Sequence, residues 1–240
     1  MNYRPGKTIV ISLGGSIMCP EQIDVLFLKR FRQFILKRLK GGSPLRRRSG
    51  EVSRFVIVAG GGRICRVYQE TAGKISKVIG RDKDWLGIHV TRLNAHLLWT
   101  MFREVADPVV IDGRDKIRKL RFPVTIASGW RPGWSTDYIT VVLAKDLGVP
   151  EIIIAGKPAF VYDKDHQKYR DAKPLYNLRW RQYRRLIPKQ WKPGLHSPVD
   201  PVAARLAEHS NIKAIVLNGK DLKNLSNLLE GKNFRGTIIS

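Results

Sequence analysis

Cysteine and long apolar runs are both scarce in this chain of 240 residues. Its two cysteines, Cys19 and Cys65, are too few for the disulfide framework of a small secreted domain. No apolar run approaches the about 20 residues that a bilayer-spanning helix needs. Residues 1–15 are a short apolar stretch broken by glycines, without the hydrophobic region of a signal peptide. We therefore expect a cytoplasmic protein in a reducing compartment, with no membrane-embedded domain.

Acidic residues are also few: 20 Asp and Glu stand against 44 Lys and Arg, so the formal net charge is +24. A field of this sign attracts polyanions and phosphorylated substrates, which leaves nucleic-acid binding open and predicts some nonspecific polyanion retention. The excess gathers in residues 41–53 and 169–192. The second stretch interleaves arginines with Trp180, Tyr183 and Trp191, which are suited to stacking on bases. Because Trp and Tyr are usually buried, we favour a core position for them.

Short β-branched runs alternate with amphipathic segments of helical length along the whole chain. This alternation predicts an α/β fold, a mainly parallel sheet covered by helices on both faces. The predicted strands are residues 7–13, 54–59, 109–111, 124–127, 151–155, 160–162, 212–217 and 236–239. The predicted helices are residues 21–39, 63–78, 85–104, 136–147 and 222–229. Two more are predicted from their first residues: one is capped by Asn177 and ends near Leu186, and the other begins at Asp200-Pro201. No flexible linker interrupts the pattern, so we expect one domain over residues 1–240 with two lobes.

Three glycine-bearing turns each follow a predicted strand: residues 14–16, 60–63 and 128–137. Glycine lets backbone N–H groups approach an anion, and a helix that starts there adds its positive end. In parallel sheets, ligands bind at the carboxyl ends of the strands, which favours a phosphate-binding cleft. None of the turns matches the P-loop or the Gly-x-Gly-x-x-Gly dinucleotide pattern.

The sequence resembles the uridylate (UMP) kinases of the amino-acid kinase superfamily over nearly its whole length and in the family's motif order. The motifs that carry the resemblance are VISLGGS (10–16), VIVAGGGRICRVY (56–68), WLGIHVTRLNAHLL (85–98), SGWRPGWSTD (128–137), VYDKD (161–165) and DPVAARLAEHSNIKAIVLNG (200–219). The resemblance implies a three-layer αβα sandwich of the amino-acid kinase-like fold that assembles as a homohexamer. It also implies that the γ-phosphoryl group of ATP is transferred to UMP with Mg²⁺, giving UDP for pyrimidine nucleotide biosynthesis. The lobe of about residues 1–127 would bind the acceptor, and the lobe of about residues 128–240 would bind ATP.

The resemblance also implies roles for particular residues. The catalytic positions would be Gly14 and Gly15, on the phosphate path, and Asp137, which would organise lysine or magnesium around the transferring group. The residues that would bind UMP are Gly61, Gly62, Arg66, Asp84, Ser135 and Thr136. Those that would bind ATP are Lys157, Tyr162 and Asp165. We expect no metal site beyond the magnesium that accompanies the nucleotide.

Each assignment has a plainer alternative that the residues alone leave open. Arg66 and Lys157 would then be ordinary surface cations. Asp137 would cap the helix that it opens, and Asp84 would be a first-turn helix acid.

The sequence departs from the family pattern at three places, the least of which is His166, which follows Asp165 where a proline is usual. Many members carry a lysine two residues before the first glycine, where this chain has Ser12, and Lys7, Lys157 and Arg131 are candidate replacements. Residues 155–162 read AGKPAFVY in place of the usual Val-Asp-Gly-Val-Tyr-like run. Two other functions therefore stay open. One is a related kinase of another small phosphate or carboxylate acceptor, and the other is a catalytically impaired kinase-fold protein that binds nucleotide or nucleic acid.

Overall fold

The computed structural model describes residues 1, 3–40, 54–117, 119–190 and 197–240. The first half of the chain contains β1 (Thr8–Leu13), α1 (Gly15–Met18), α2 (Val25–Lys40), β2 (Arg54–Ala59), α3 (Gly62–Ile75), α4 (Gly80–Phe102), a 3₁₀ turn (Arg114–Lys116) and β3 (Val124–Ala127). The second half contains α5 (Thr136–Asp146), β4 (Glu151–Gly156), β5 (Val161–Tyr162), β6 (Pro174–Leu175), β7 (Asn177–Leu178), α6 (Trp180–Leu186), α7 (Pro201–His209), β8 (Lys213–Asn218), α8 (Leu222–Leu229) and β9 (Thr237–Ile239). No helix among the described residues combines the length and apolarity needed to cross a bilayer.

Seven strands form one sheet in the order β3-β2-β1-β4-β8-β9-β7, and β5 and β6 form a separate hairpin. The five strands from β3 to β8 are mutually parallel, so their carboxyl ends share one edge. From β1 the chain adds β2 and β3 on one side, and it then returns to add β4 and β8 on the other. The edge between β1 and β4 is therefore a topological switch point, where open α/β sheets bind ligands.

Helices cover both faces of the sheet because its central strands are apolar on both sides. In β1, Ile9, Ile11 and Leu13 enter the core beneath α2, α4 and α8, whereas Val10 enters the core beneath α5, α6 and α7. The alternation follows from the two-residue repeat of a strand, and burial of both faces is typical of parallel sheets. The predicted αβα architecture with a mainly parallel sheet is confirmed.

The basic aromatic stretch contributes to the core, as expected for Trp180 and Tyr183. Trp180 is 3% exposed and donates through Nε1 to the carbonyl oxygen of Ile212 at 3.0 Å. Tyr183 is fully buried, and its hydroxyl donates to Val199 O at 2.6 Å and accepts from Val199 N at 2.7 Å. Trp191 and the basic segment 41–53 lie outside the described residues.

Several local predictions differ from the structure, and α4, for one, begins at Gly80, five residues before its predicted start at 85. The helix predicted from Glu21 begins only at Val25, because the Asp24 carboxylate accepts the backbone N–H of Phe27 and so caps the helix there. Residues 109–111 form no strand, and Ile111 makes only an isolated bridge with Ala127. Asn177 does not cap α6, because it pairs with β9 as part of β7 and the helix starts three residues later.

Candidate active site

The first two glycine turns touch each other, backbone against backbone. They follow β1 and β2, which are paired in register up to Leu13 and Ala59, so both turns leave the sheet at the same level. A Cβ atom on Gly15 would lie 2.0 Å from the backbone nitrogen of Gly62, and one on Gly60 would lie 2.2 Å from that of Gly15. Side chains at these two positions would collide with backbone, so this contact requires glycine.

Helix α4 joins the third turn to the first two. The Asn94 side-chain amide donates to the carbonyl oxygens of Gly60 at 2.7 Å and Gly61 at 3.2 Å. One helical turn earlier, the Thr91 hydroxyl accepts the backbone N–H of Gly129 at 2.8 Å and donates to Ile88 O at 2.7 Å. The three turns therefore lie side by side at the carboxyl edge of the sheet, along one face of α4.

Arg66 lies on α3, four residues after Gly62, and its side chain is half-buried. No carboxylate in the described part of the chain forms an ion pair with it. Its neighbour Arg63, by contrast, pairs with Glu70 at 3.0 Å and approaches Glu21 at 3.9 Å. Arg66 therefore differs from Arg63 in having no ion-pair partner among the described residues, and it lies one helical turn after Gly62.

Asp84 holds the third turn from the first part of α4. Its carboxylate accepts the backbone N–H of Gly133 at 2.9 Å. Burial raises the pKa of Asp84, and this hydrogen bond opposes the rise. The structure therefore gives Asp84 a role beyond that of a helix-terminal acid, as a tie between α4 and the loop that carries Ser135.

Two carboxylates meet where α5 and α7 begin. Ser135 caps α5 by accepting Tyr138 N at 2.9 Å, so the cap is not Asp137, which lies in the first turn. Asp200 caps α7 by accepting the backbone N–H groups of Val202 and Ala203. The Ser135 hydroxyl donates to Asp200 as well, and the backbone N–H of Asp200 donates to the Asp137 carboxylate. The amino ends of both helices thus converge on one acidic pair.

The second donor to Asp137 is Ser12, whose hydroxyl lies 2.9 Å from Oδ1. Burial and the neighbouring Asp200 carboxylate together raise the pKa of Asp137 to about 7, against the opposing effect of the two hydrogen bonds. Lys7 does not replace the family lysine here, since it precedes β1 and lies five residues from Ser12, about 16 Å along an extended strand. Arg131 is exposed and stacks over the Trp134 ring at 5.1 Å.

The residues predicted to bind ATP, the phosphate donor, follow β4 and are more exposed to solvent. Lys157 is exposed immediately after the strand, and Tyr162 stacks on His166 with ring centroids 4.4 Å apart. Asp165 uses its carboxylate within its own turn, accepting Gln167 N at 3.0 Å and approaching Lys168 Nζ at 3.8 Å. Among the described residues, no hydrogen bond or ion pair joins these three side chains to the glycine turns.

Sequence reasoning missed the contribution of Asp200 to the site. The Asp-Pro pair signals a helix start, and that signal is correct, but nothing in the spacing shows that the same carboxylate faces Asp137. Asn94 and Thr91 lie inside the motif at residues 85–98 that carries the family resemblance. Their contacts with the glycine turns nevertheless depend on how α4 crosses the sheet, which the motif does not show.

Comparison with known proteins agrees with this geometry. The sequence profile described as "Amino acid kinase family" matches residues 7–218, so the chain belongs to that family. The chain is 31% identical to a uridylate kinase of Pyrococcus abyssi, with 96% of this chain and 98% of that protein covered. It is 32% identical to a uridylate kinase of Methanoregula boonei, with 98% and 96% covered. The crystal structure of uridylate kinase from Archaeoglobus fulgidus superposes with a TM-score of 0.79 at 26% identity, covering 98% of this chain and all of that one.

Gly15→Ala is expected to destabilise the protein by about 1–3 kcal/mol or more, because the new methyl group meets the backbone of Gly61 and Gly62 and neither can move away as a side chain would. Gly80→Ala is the matched control, since a Cβ there has nothing within 4 Å and Gly80 opens α4. Chemical denaturation of both variants measures the difference. Equal stability of the two variants would contradict the close contact.

Asp137→Asn is expected to change how stability depends on pH in metal-free buffer. A carboxyl whose pKa is raised from 3.8 to about 7 by folding stabilises fully below pH 3.8, and this contribution is lost as pH rises through 7. The variant should match the parent near pH 4 and exceed its free energy of unfolding by about 2–4 kcal/mol at pH 8. Urea denaturation across this range is the measurement. Asp171→Asn, at an exposed carboxylate, is the control and should show no such trend. If the free energy of unfolding of Asp137→Asn and of the parent changed with pH in parallel, the Asp137 carboxylate would not be buried as a charge.

Proposed function

We propose that this protein is a uridylate kinase that transfers the γ-phosphoryl group of ATP to UMP and releases UDP. The observation that carries the proposal is the meeting of three glycine turns at the carboxyl edge of the parallel sheet, where α3, the helix that carries Arg66, begins. Relatives named uridylate kinase match the chain over nearly its full length, which supports the choice of UMP as acceptor. Phosphoryl transfer needs chiefly positioning and electrostatic stabilisation, which backbone donors and an arginine supply.

The acceptor would bind on the side of α3 and α4, in the lobe of about residues 1–127. Gly61, Gly62 and Arg66 hold the phosphate of UMP in this proposal, with the guanidinium suited to a bidentate grip. Asp84 contacts the ribose with the carboxylate oxygen that does not accept Gly133 N. Ser135 and Thr136, at the start of α5, complete the acceptor phosphate site.

ATP would bind in the lobe of about residues 128–240, with Lys157, Tyr162 and Asp165 as donor contacts. Gly14 and Gly15 then line the path between the two nucleotides, because they lie between the second glycine turn and the carboxyl end of β4. Gly14 N donates to Ala155 O at 3.0 Å, which supports this position beside β4. Asp137 faces the same space from α5.

The acidic pair is suited to Mg²⁺ that arrives with ATP. Carboxylate oxygens are the ligands that Mg²⁺ prefers, and one or two carboxylates commonly complete a site shared with substrate phosphates. Asp137 and Asp200 provide such a pair, and no cationic side chain of the described residues is bound to either. When present, the ion offsets charge on the phosphates. We further propose a homohexamer in the cytoplasm that acts in pyrimidine nucleotide biosynthesis, on the strength of the family resemblance.

Two observations favour testing a nucleic-acid-binding function beside the kinase. Ser12 supplies no positive charge to the site. Arg179, just before α6, and Arg181 and Arg185 within it are exposed, with no carboxylate partner in the part of the chain that is described. Salt-dependent RNA binding at micromolar concentration or tighter, without phosphoryl transfer, would support this second function.

Purified protein with ATP, Mg²⁺ and UMP is expected to form UDP, measured by separating the nucleotides after timed incubation. The same assay with other nucleoside monophosphates, isopentenyl phosphate, aspartate and glutamate tests the related kinases, and UMP should give the highest kcat/KM. A folded protein that phosphorylates none of these acceptors would refute the kinase assignment, and preference for another acceptor would refute UMP.

Arg66→Ala is expected to raise the KM for UMP about tenfold to a hundredfold with a smaller effect on kcat, because an ionic grip on the acceptor phosphate acts in the ground state and the transition state alike. Arg30→Ala, which removes an exposed arginine of α2, is the matched control and should leave both constants unchanged. An unchanged KM in Arg66→Ala would place the acceptor phosphate elsewhere.

A further inference from the structure

Ser12 occupies a position unusual for a polar side chain. It lies in the central strand β1, is 3% exposed, and is the residue before the last of that strand. Its neighbours Ile11 and Leu13 enter the core beneath α2 and α4, so Ser12 faces the opposite layer, where α5 begins. A hydroxyl buried this deeply costs free energy unless it is hydrogen-bonded. Its described bond is the one donated to Asp137 Oδ1 at 2.9 Å.

The carboxylate that receives this bond is held on a second side. The backbone N–H of Asp200 donates to it, and the position of Asp200 is itself fixed by its capping bonds to α7 and by the Ser135 hydroxyl. One step further, the buried Tyr183 hydroxyl holds the backbone of Val199, the residue that leads into Asp200. The α7 side of the carboxylate is therefore rigid, and Ser12 is the donor on the strand side.

Electrostatics makes the strand-side donor necessary. Asp137 and Asp200 repel each other when both are ionised, so an Asp137 carboxylate with a free rotamer would turn away from Asp200. Of the titratable and polar groups that face Asp137 from β1, α6 and α7, namely Ser12, Tyr183 and Asp200, none is a cation. Ser12 supplies directional attraction without adding charge, and so favours one orientation of the carboxylate.

We propose that Ser12 is a positioning residue for phosphoryl transfer, which fixes Asp137 in the orientation that the reacting phosphates require. This inference rests on the proposed kinase function. It differs from a packing role for Ser12, because it assigns the effect to the hydroxyl and not to the volume of the side chain. Loss of the hydroxyl should therefore slow the chemical step while leaving intact the part of the acceptor site that α3 and α4 provide.

Ser12→Val and Ser12→Thr form the matched pair for the test, since the two side chains have nearly the same shape and only threonine keeps the hydroxyl. We expect Ser12→Val to lower kcat about tenfold to a hundredfold, the range set by removing a hydrogen bond to a charged group. The KM for UMP should stay within about twofold. Ser12→Thr should retain most of the parental kcat. Ser12→Ala removes the hydroxyl without adding volume and should behave as Ser12→Val does. It therefore replaces the valine variant in the test if that variant does not fold.

Initial rates with ATP, Mg²⁺ and UMP, normalised to folded protein by circular dichroism, give the readout. Equal kcat values for the threonine variant and the two variants without a hydroxyl would overturn the inference, as would a rise in KM that accounts for the whole loss of kcat/KM. An active parent with equal variants refutes only the role of Ser12. An inactive but folded parent refutes the proposed function, and the inference with it.

Discussion

The contact between two backbone turns determines the rest of the site. Strands β1 and β2 are parallel and in register, so the turns after Leu13 and Ala59 leave the sheet side by side. Each strand continues into a helix, and the two turns approach so closely that a Cβ on Gly15 or Gly60 would collide with backbone atoms of the other turn. The amino ends of α1 and α3 are brought together as a consequence. Gly14 N and Gly60 N already donate to Ala155 O and Leu13 O, so the backbone N–H groups that could meet a phosphate are those of the glycines next to them.

Side chains of helix α4 connect this contact to the third glycine turn, so that all three turns belong to one site. Through Asn94 it donates to the carbonyl oxygens of Gly60 and Gly61 in the second turn. Through Thr91 and Asp84 it binds the third turn at Gly129 and Gly133. The loop that leads to Ser135 and Asp137 is therefore held against α4 by side chains of that one helix. Polar residues in an otherwise buried helix face are explained by these contacts.

The elements that build this frame were predictable from sequence because each has its own local signal. The apolar run of β1, the glycines after β2 and the spacing of leucines in α8 place those elements almost to the residue. Strands β6 and β7 carry no such signal, since two residues show no periodicity. The sequence therefore predicts a helix cap at Asn177, whereas pairing with β9 makes it a strand residue. The acid pair is a case of the same kind. The sequence predicts a helix start at Asp200, but the position of Asp200 next to Asp137 depends on how α5 and α7 pack together.

The large positive charge of the chain does not explain how the site manages without a lysine at position 12. At physiological ionic strength the charge of a surface residue is screened over about 8 Å, and Lys7 is about twice that distance from Ser12 along β1. The net charge of +24 raises the local concentration of nucleotides around the protein and so their rate of association, but it adds little field at a half-buried carboxylate. Stabilisation at Asp137 has to come from groups in contact with it. In the described structure those are one hydroxyl, one backbone N–H and the amino ends of two helices, which orient a carboxylate without neutralising it. Under the proposed kinase function, the positive charge next to Asp137 would come with the substrate, as the Mg²⁺ that accompanies the nucleotide.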